Sequence, residues 1–303
     1  MNKTGFILID KPVGPTSHDV VNKGRRALSM KKIGHAGTLD PFASGLLILC
    51  IGTSTRLSEY FLHYDKTYIF TLRLGHETDS CDNEGKIIAQ GKKKPENINE
   101  PEIRNVLHDF TGEIDQVPPV YSARRIKGRR LYEYARSGEI VEIPSRKVII
   151  HELNLFEFSP PDLTLEARVS SGTYIRALGR DIGQSLGTLA TVEKLRRTKI
   201  GNHSLENSIP LEILETEEGI EEHILPPERL FPGWPRILVK GDALKRVKNG
   251  NFIPAIENMP CFWKKETPLM LLDDKQRVVA VAMIKKSPKG EKVMQPVKVL
   301  ISN

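Results

Sequence analysis

The run Gly34-His35-Ala36-Gly37-Thr38-Leu39-Asp40-Pro41-Phe42-Ala43-Ser44-Gly45 leads directly into the apolar stretch Leu46 to Ile51. A strand-length apolar run without polar alternation predicts a buried strand, and the glycine- and proline-dense segment before it predicts a tight loop. That loop carries one carboxylate, Asp40, and a loop anchored to a buried strand is how a scaffold holds a reactive side chain still. On these residues alone Asp40 also reads as a structural turn residue, because Asp-Pro initiates turns and Asp side chains bond their own backbone two residues on.

The surrounding pattern is mixed. Gly5 to Lys11 predicts a short strand stopped by Pro12, and Ser17 predicts the N-cap of a helix reaching about Ser29, with Val20, Val21 and Leu28 on its apolar side. Lys66 to Leu74 is rich in β-branched and aromatic residues, as a strand is. Ile103, Val106, Leu107 and Phe110 follow helical spacing between Pro101 and Gly112, and Ile175, Leu178, Ile182 and Leu186 do so after Gly172. Strands and helices are interspersed without the regular alternation of a parallel sheet, which predicts an α+β fold.

Charge is unevenly distributed. The net charge is +7, yet residues 236–303 hold 14 Lys/Arg against 6 Asp/Glu, a net +8, which leaves −1 for the remainder. Eight glutamates crowd between Leu205 and Phe231 and mark a boundary at about residue 230. Beyond it the pattern predicts a helix from Asp242 to Lys248, stopped by Asn249-Gly250, and strands at Leu269 to Leu272 and Arg277 to Met283. A basic terminal unit on a near-neutral body fits attraction to a polyanion such as nucleic acid, or a solvated basic surface with no partner. Within the body, Val120 to Lys147 carries 8 Arg/Lys against 3 Glu, interleaved with Tyr121, Tyr132 and Tyr134. Arginine for phosphate and tyrosine for stacking suits a single strand, and a basic surface helix is the plain alternative.

The longest apolar run is far short of the roughly 20 residues of a membrane helix, and Met1 to Pro12 lacks the features of a signal peptide, so a cytoplasmic protein is expected. Cys50, Cys81 and Cys261 form no Cys-x-x-Cys pair, which predicts reduced thiols and neither a disulfide framework nor a zinc knuckle. There is no P-loop and no dinucleotide fingerprint.

The Asp40 loop matches Gly-His-x-Gly-x-Leu-Asp-Pro-x-Ala-x-Gly-x-Leu, and Tyr121 to Gly138 matches Tyr-Ser-Ala-x-[KR]-x-x-Gly-x-Arg-Leu-Tyr-x-x-Ala-Arg-x-Gly. With Lys66-Thr67-Tyr68, Ser170 to Arg176, and Lys194 to Thr198, they make the chain resemble the TruB family of RNA pseudouridine synthases from end to end. The resemblance implies a pseudouridine synthase fold over residues 1–230, with a mixed, mainly antiparallel sheet flanked by helices. It further implies an RNA-gripping insertion at 118–147 and a small PUA-like β-barrel at 236–303.

The resemblance also assigns residues. Asp40 is the catalytic aspartate, Arg176 its ion-pair partner, and Tyr68 the catalytic residue that stacks on the target base and moves the C5 or C2′ proton. His35 contacts substrate, Tyr174 and Leu195 line the pocket, Asp82 is a further acid near the site, and Arg124, Lys127 and Arg129 grip RNA. Without the resemblance, Arg176 would read as an exposed helical arginine and Tyr68 and Leu195 as core. The implied reaction converts a tRNA T-arm uridine, position 55, to pseudouridine, by a monomer that needs no cofactor or metal. A guide-dependent synthase of a ribonucleoprotein and a non-catalytic RNA binder or folding chaperone are the alternatives.

Overall fold

The computed structural model describes residues 3–122, 124–126, 128–137, 139, 141–215, 219–255 and 267–301. Lys127 and Cys261 lie outside this set. The body is built on one 10-stranded sheet. Its main path runs Ile209–Pro210, Gly5–Lys11, Ser44–Ile51, Ala190–Ile200, Lys66–Leu74, Asp162–Val169, Arg146–Ser159 and Gly112–Gln116. The first pair and the contact between Ser44–Ile51 and Ala190–Ile200 are parallel, and the other neighbours on this path are antiparallel, so the α+β, mainly antiparallel reading holds.

The two apolar runs that lack alternation do so because both faces of this part of the sheet are covered. Ile7, Ile9, Leu47, Leu49 and Ile51 point into a core shared with the helices Ser17–Ala27, Glu100–Asp109 and Ile175–Ser185. Phe6, Leu8, Leu46, Ile48 and Cys50 point the other way, onto Phe61, Leu230 and Phe231 and onto Met270, Leu272, Val281 and Leu300 of the tail. Each fully buried Leu, Ile or Phe here contributes about 1.5–3 kcal/mol. The tail is therefore part of what covers the sheet.

That tail has its own five-stranded sheet in the order Arg236–Leu238, Leu269–Leu272, Val278–Lys286, Lys292–Val299, Ile253–Pro254, with the helix Gly241–Lys248 packed on it around Val247, Leu271 and Ala280. The helix and both strands predicted there are present.

Helix termini are where the sequence reading slips. The first helix spans Ser17–Ala27 and is capped by Thr16 in a reciprocal capping box with Asp19, so Ser17 is not the N-cap. Two adjacent hydroxyls compete for that role, and Thr16 wins because the Ser17 hydroxyl is used elsewhere, on the Asp40 loop. Among the described residues of 118–147, Arg125–Ile126 pairs with Arg129–Arg130, and the helix Leu131–Ser137 follows. No described helix is long and apolar enough to cross a membrane.

Candidate active site

The site lies at the parallel contact between Ser44–Ile51 and Ala190–Ile200. Lys11 pairs with Gly45, Gly45 with Arg197, Arg197 with Tyr68, and Tyr68 with Ala167, one row across five strands. Gly45 is required in that row: its φ is +104°, and a Cβ there would lie 2.3 Å from the Arg197 carbonyl oxygen. The strand can thus pass close to Ala190–Ile200 just as the Asp40 loop ends.

Three buried polar side chains grip that loop. The Lys11 ammonium, fully buried, donates to the carbonyls of Ala43 at 2.6 Å, Pro12 at 2.8 Å and Pro41 at 3.4 Å. The Ser17 hydroxyl accepts from the Leu39 amide at 2.8 Å and donates to the Leu39 carbonyl at 2.9 Å. The Arg197 guanidinium, 1% exposed, donates to the carbonyls of Leu46, Gly37 and Thr38 at 2.8, 3.1 and 3.3 Å. Burial pushes the Lys11 ammonium down to about 8, opposed by the nearby Asp40 carboxylate and reinforced by Arg197.

Asp40 faces Arg176, whose Nε lies 3.1 Å from Asp40 Oδ2. Arg176 is 6% exposed and fully engaged: Nη1 donates to Asp82 Oδ2 at 3.0 Å and to the Ser80 carbonyl at 3.1 Å, and Nη2 to the Tyr121 carbonyl at 2.8 Å. Asp82 is itself buried and accepts from the Ser80 hydroxyl and the Glu84 amide. A buried guanidinium held by two carboxylates and two carbonyls has its geometry fixed, and its one positive charge is shared between Asp40 and Asp82. The Asp40 side chain, by contrast, stays 39% exposed, open to a ligand.

Two cavities meet at this ion pair. One, about 330 Å³, is walled by Asp40, Lys66, Tyr68, Ser122, Tyr174, Leu195 and Arg176, among others. It offers aromatic and apolar faces beside a carboxylate. The other, about 380 Å³, is walled mainly by polar groups that include Asp79, Asp82, Glu84, Lys86 and Tyr121. Tyr174 is fixed by the buried Gln116, whose side-chain oxygen accepts from the Tyr174 amide at 2.8 Å and whose Nε2 donates to its carbonyl at 3.1 Å.

The structure thus brings together Asp40, Tyr68, Arg176, Tyr174, Leu195 and Asp82. His35 lines neither cavity; it sits half-buried on Ile33–His35, with Nδ1 buried and without a hydrogen-bond partner among the described residues. Burial, then Arg197 and His18, push its imidazole below the usual range. Arg124 and Arg129 are also away from the cavities: Arg124 donates to the Pro144 carbonyl at 3.1 Å, and Arg129 pairs with Glu139 at 3.0 Å and lies over the Tyr134 ring. Lys11, Ser17, Gln116 and Arg197 were missed from sequence. Only Arg197 left a trace, sharing a strand face with Leu195 two residues before it.

The comparisons with known proteins show the family. A model of the TruB family pseudouridylate synthase N-terminal domain matches residues 25–175, and one of the tRNA pseudouridylate synthase B C-terminal domain matches 176–231. The tRNA pseudouridine synthase B of Thermotoga maritima is 41% identical over 251 residues, which is 83% of this chain and 80% of that protein. This chain belongs to the TruB family of pseudouridine synthases. The tRNA pseudouridine synthase B of Aquifex aeolicus is a further TruB relative, 43% identical over 82% of this chain and 86% of its own length. Among solved structures, Cbf5 in a complex with Nop10 and Gar1 superposes with a TM-score of 0.72 and 26% identity, over 99% of this chain and 85% of that chain. An H/ACA RNP bound to a substrate RNA containing 2'-deoxyuridine superposes with a TM-score of 0.70 and 26% identity, over 99% and 86%. The TruB chain described here therefore carries the pseudouridine synthase fold, with Asp40 and Arg176 paired in its central cleft.

Proposed function

We propose that this enzyme isomerises uridine-55 in the T arm of tRNA to pseudouridine, with Asp40 acting at the sugar. The observation that carries the reading is the Asp40–Arg176 pair at the junction of two cavities, one of them walled by Tyr68, Tyr174 and Leu195. Pseudouridine formation breaks the C1′–N1 bond, turns the uracil while it remains trapped, and joins C1′ to C5, whose proton is then lost while N1 gains one. A carboxylate beside C1′ assists departure of the base, either as a covalent nucleophile or by stabilising positive charge on the sugar. Arg176 supplies the counter-charge that keeps a carboxylate usable inside a cleft.

The target base has to leave its stack at a cost of roughly a few kcal/mol. An aromatic face offsets about 1–3 kcal/mol of that, and Tyr68 is the ring we assign to it. Under this reading Tyr174 and Leu195 close the pocket, Asp82 orients Arg176, and His35, Arg124, Lys127 and Arg129 meet the RNA outside the cavities. The protein acts as a cytoplasmic monomer without metal or cofactor, with residues 236–303 as a PUA-like RNA-binding domain and 118–147 as an RNA-gripping insertion.

The tRNA substrate is favoured over guide-dependent action because the identity to the tRNA pseudouridine synthases B of Thermotoga maritima and Aquifex aeolicus is 41% and 43%, against 26% to Cbf5. The basic insertion also gives the chain an RNA grip of its own. The test is to map pseudouridine in an unmodified tRNA transcript after incubation with the purified protein alone. Modification at position 55 is expected; binding without modification would leave the non-catalytic reading.

A further inference from the structure

One buried polar atom in the wall of the cavity of about 330 Å³ has no hydrogen-bond partner among the described residues. Ser122 is 5% exposed and lines the cavity with Tyr68, Tyr174 and Leu195, and its Oγ has no hydrogen-bond partner among the described residues. Other polar side chains of the same wall are spent inside the protein. Lys66 donates to the carbonyls of Tyr64, Leu62 and Phe61 at 2.6, 2.9 and 3.1 Å. Ser170 accepts from the Ile149 amide, Thr173 donates to the Ser170 carbonyl, and Arg197 holds the Asp40 loop. A buried hydroxyl left unpaired costs about 1–3 kcal/mol, so its retention at a ligand cavity calls for an explanation.

Its position is fixed by the same group that fixes Asp40. Arg176 Nη2 donates to the carbonyl of Tyr121, the residue before Ser122, and the Ser122 amide donates to the Val120 carbonyl at 3.0 Å. The first residues of the insertion are thereby locked to the ion pair, with the Ser122 side chain at the cavity wall.

We propose that the Ser122 hydroxyl is a base-recognising group, donating a hydrogen bond to a carbonyl oxygen on the polar edge of the flipped uracil; this rests on the reading of the cavity as the base pocket. Stacking on Tyr68 fixes the plane of the ring but not its orientation within that plane. An edge bond fixes the orientation. Moving the glycosidic link from N1 to C5 amounts to a half-turn of the free base about its N3–C6 axis, and that turn exchanges O2 and O4. A donor placed beside N3–H therefore meets a carbonyl oxygen before the turn and again after it. Ser122 holds the uracil in both orientations while the bond to C1′ is absent.

The test compares Ser122→Ala with the parent protein on two T-arm stem-loops, one with uridine at the target and one with an abasic ribose there. Binding is measured in an Asp40→Asn background so that no turnover intervenes, and single-turnover isomerisation with Asp40 intact. Ser122→Ala removes an unpartnered atom, so its thermal midpoint is expected at or above that of the parent. The uridine stem-loop should bind and react about 3- to 10-fold less well, and the abasic stem-loop should bind as tightly as to the parent. Equal weakening on both RNAs would make Ser122 part of the insertion's scaffold, and no change on either would leave it without substrate contact; both results overturn the proposal. Failure of the parent protein to form pseudouridine is a separate outcome and strikes the functional reading instead.

Discussion

Asp40→Asn keeps the size and most hydrogen bonds of the side chain and removes its charge. If that charge breaks the glycosidic bond, turnover is abolished while RNA binding and thermal midpoint are nearly kept, as mass-labelled pseudouridine assays and a binding titration will show. A residue serving only the turn would instead cost ~1 kcal/mol of stability and leave turnover in the folded fraction. Arg176→Ala is a poorer probe than its place opposite Asp40 implies. Arg176 also neutralises the buried Asp82, and removing one partner of a buried pair costs about 3–5 kcal/mol, so that variant mixes catalysis with unfolding. Lys11 makes a prediction of its own. Its folded value of about 8 lies below the ordinary 10.5, so between those values the unfolded chain binds the proton that the folded chain has lost. Stability from this group therefore rises with pH across that window, by at most about 1.4 kcal/mol per unit. In Lys11→Met that contribution is gone, and denaturant midpoints taken at about pH 8 and pH 10 should change less favourably with pH than in the parent; parallel curves would refute the assignment.

At the scale of elements, the insertion is the part whose behaviour RNA is expected to change. Its described core is small: Leu131 and Tyr134 are buried, the Tyr134 hydroxyl donates to the Ile126 carbonyl at 3.2 Å, and Arg129 lies over the Tyr134 ring. The described residues of the hairpin and helix, held by few apolar contacts, open at low free-energy cost. Trypsin should cut between Arg124 and Arg136 in the free protein and much more slowly in the tRNA complex, with equal protection in both states excluding a role in closing over RNA. The segment's basic, tyrosine-rich composition was legible in the sequence. Its hairpin was not, because Arg125–Ile126 and Arg129–Arg130 are two-residue strands with no periodicity to detect. The long strands Arg146–Ser159 and Ala190–Ile200 escaped detection for a related reason. Charged residues interrupt both, and the buried Arg197 replaces an apolar residue on the inner face of the second.

At the scale of the whole molecule, the tail is less separable than its charge makes it look. Met270, Leu272, Val281 and Leu300 share a core with Phe6, Phe61 and Phe231, the Thr53 hydroxyl donates to the Leu300 carbonyl, and Lys298 pairs with Glu59 at 2.8 Å. Deleting 236–303 uncovers that apolar face, so the truncated body should show a lower thermal midpoint and aggregate, a loss unrelated to phosphate contacts. Charge substitutions test the RNA contribution cleanly. Replacing the exposed Lys285, Lys286 and Lys289 by Ala should flatten the salt dependence of tRNA affinity by about one unit of slope per lost phosphate contact, with stem-loop turnover unchanged. An unaltered slope would place the tail's basic surface away from RNA.

What the sequence determined by itself was local: the buried Ser44–Ile51 strand, the helices at 100–109 and 175–185, the loop that presents Asp40, and the motifs that name the family. Apolar periodicity and turn chemistry act over a few residues, so they can be read there. Tertiary structure decided what the loop is fastened to. Lys11, Ser17 and Arg197 converge on it across 22 to 160 residues of chain, and Gln116 reaches Tyr174 across 58. Such polar side chains are ordinarily exposed, and the burial that gives them their role exists only once the strands have paired.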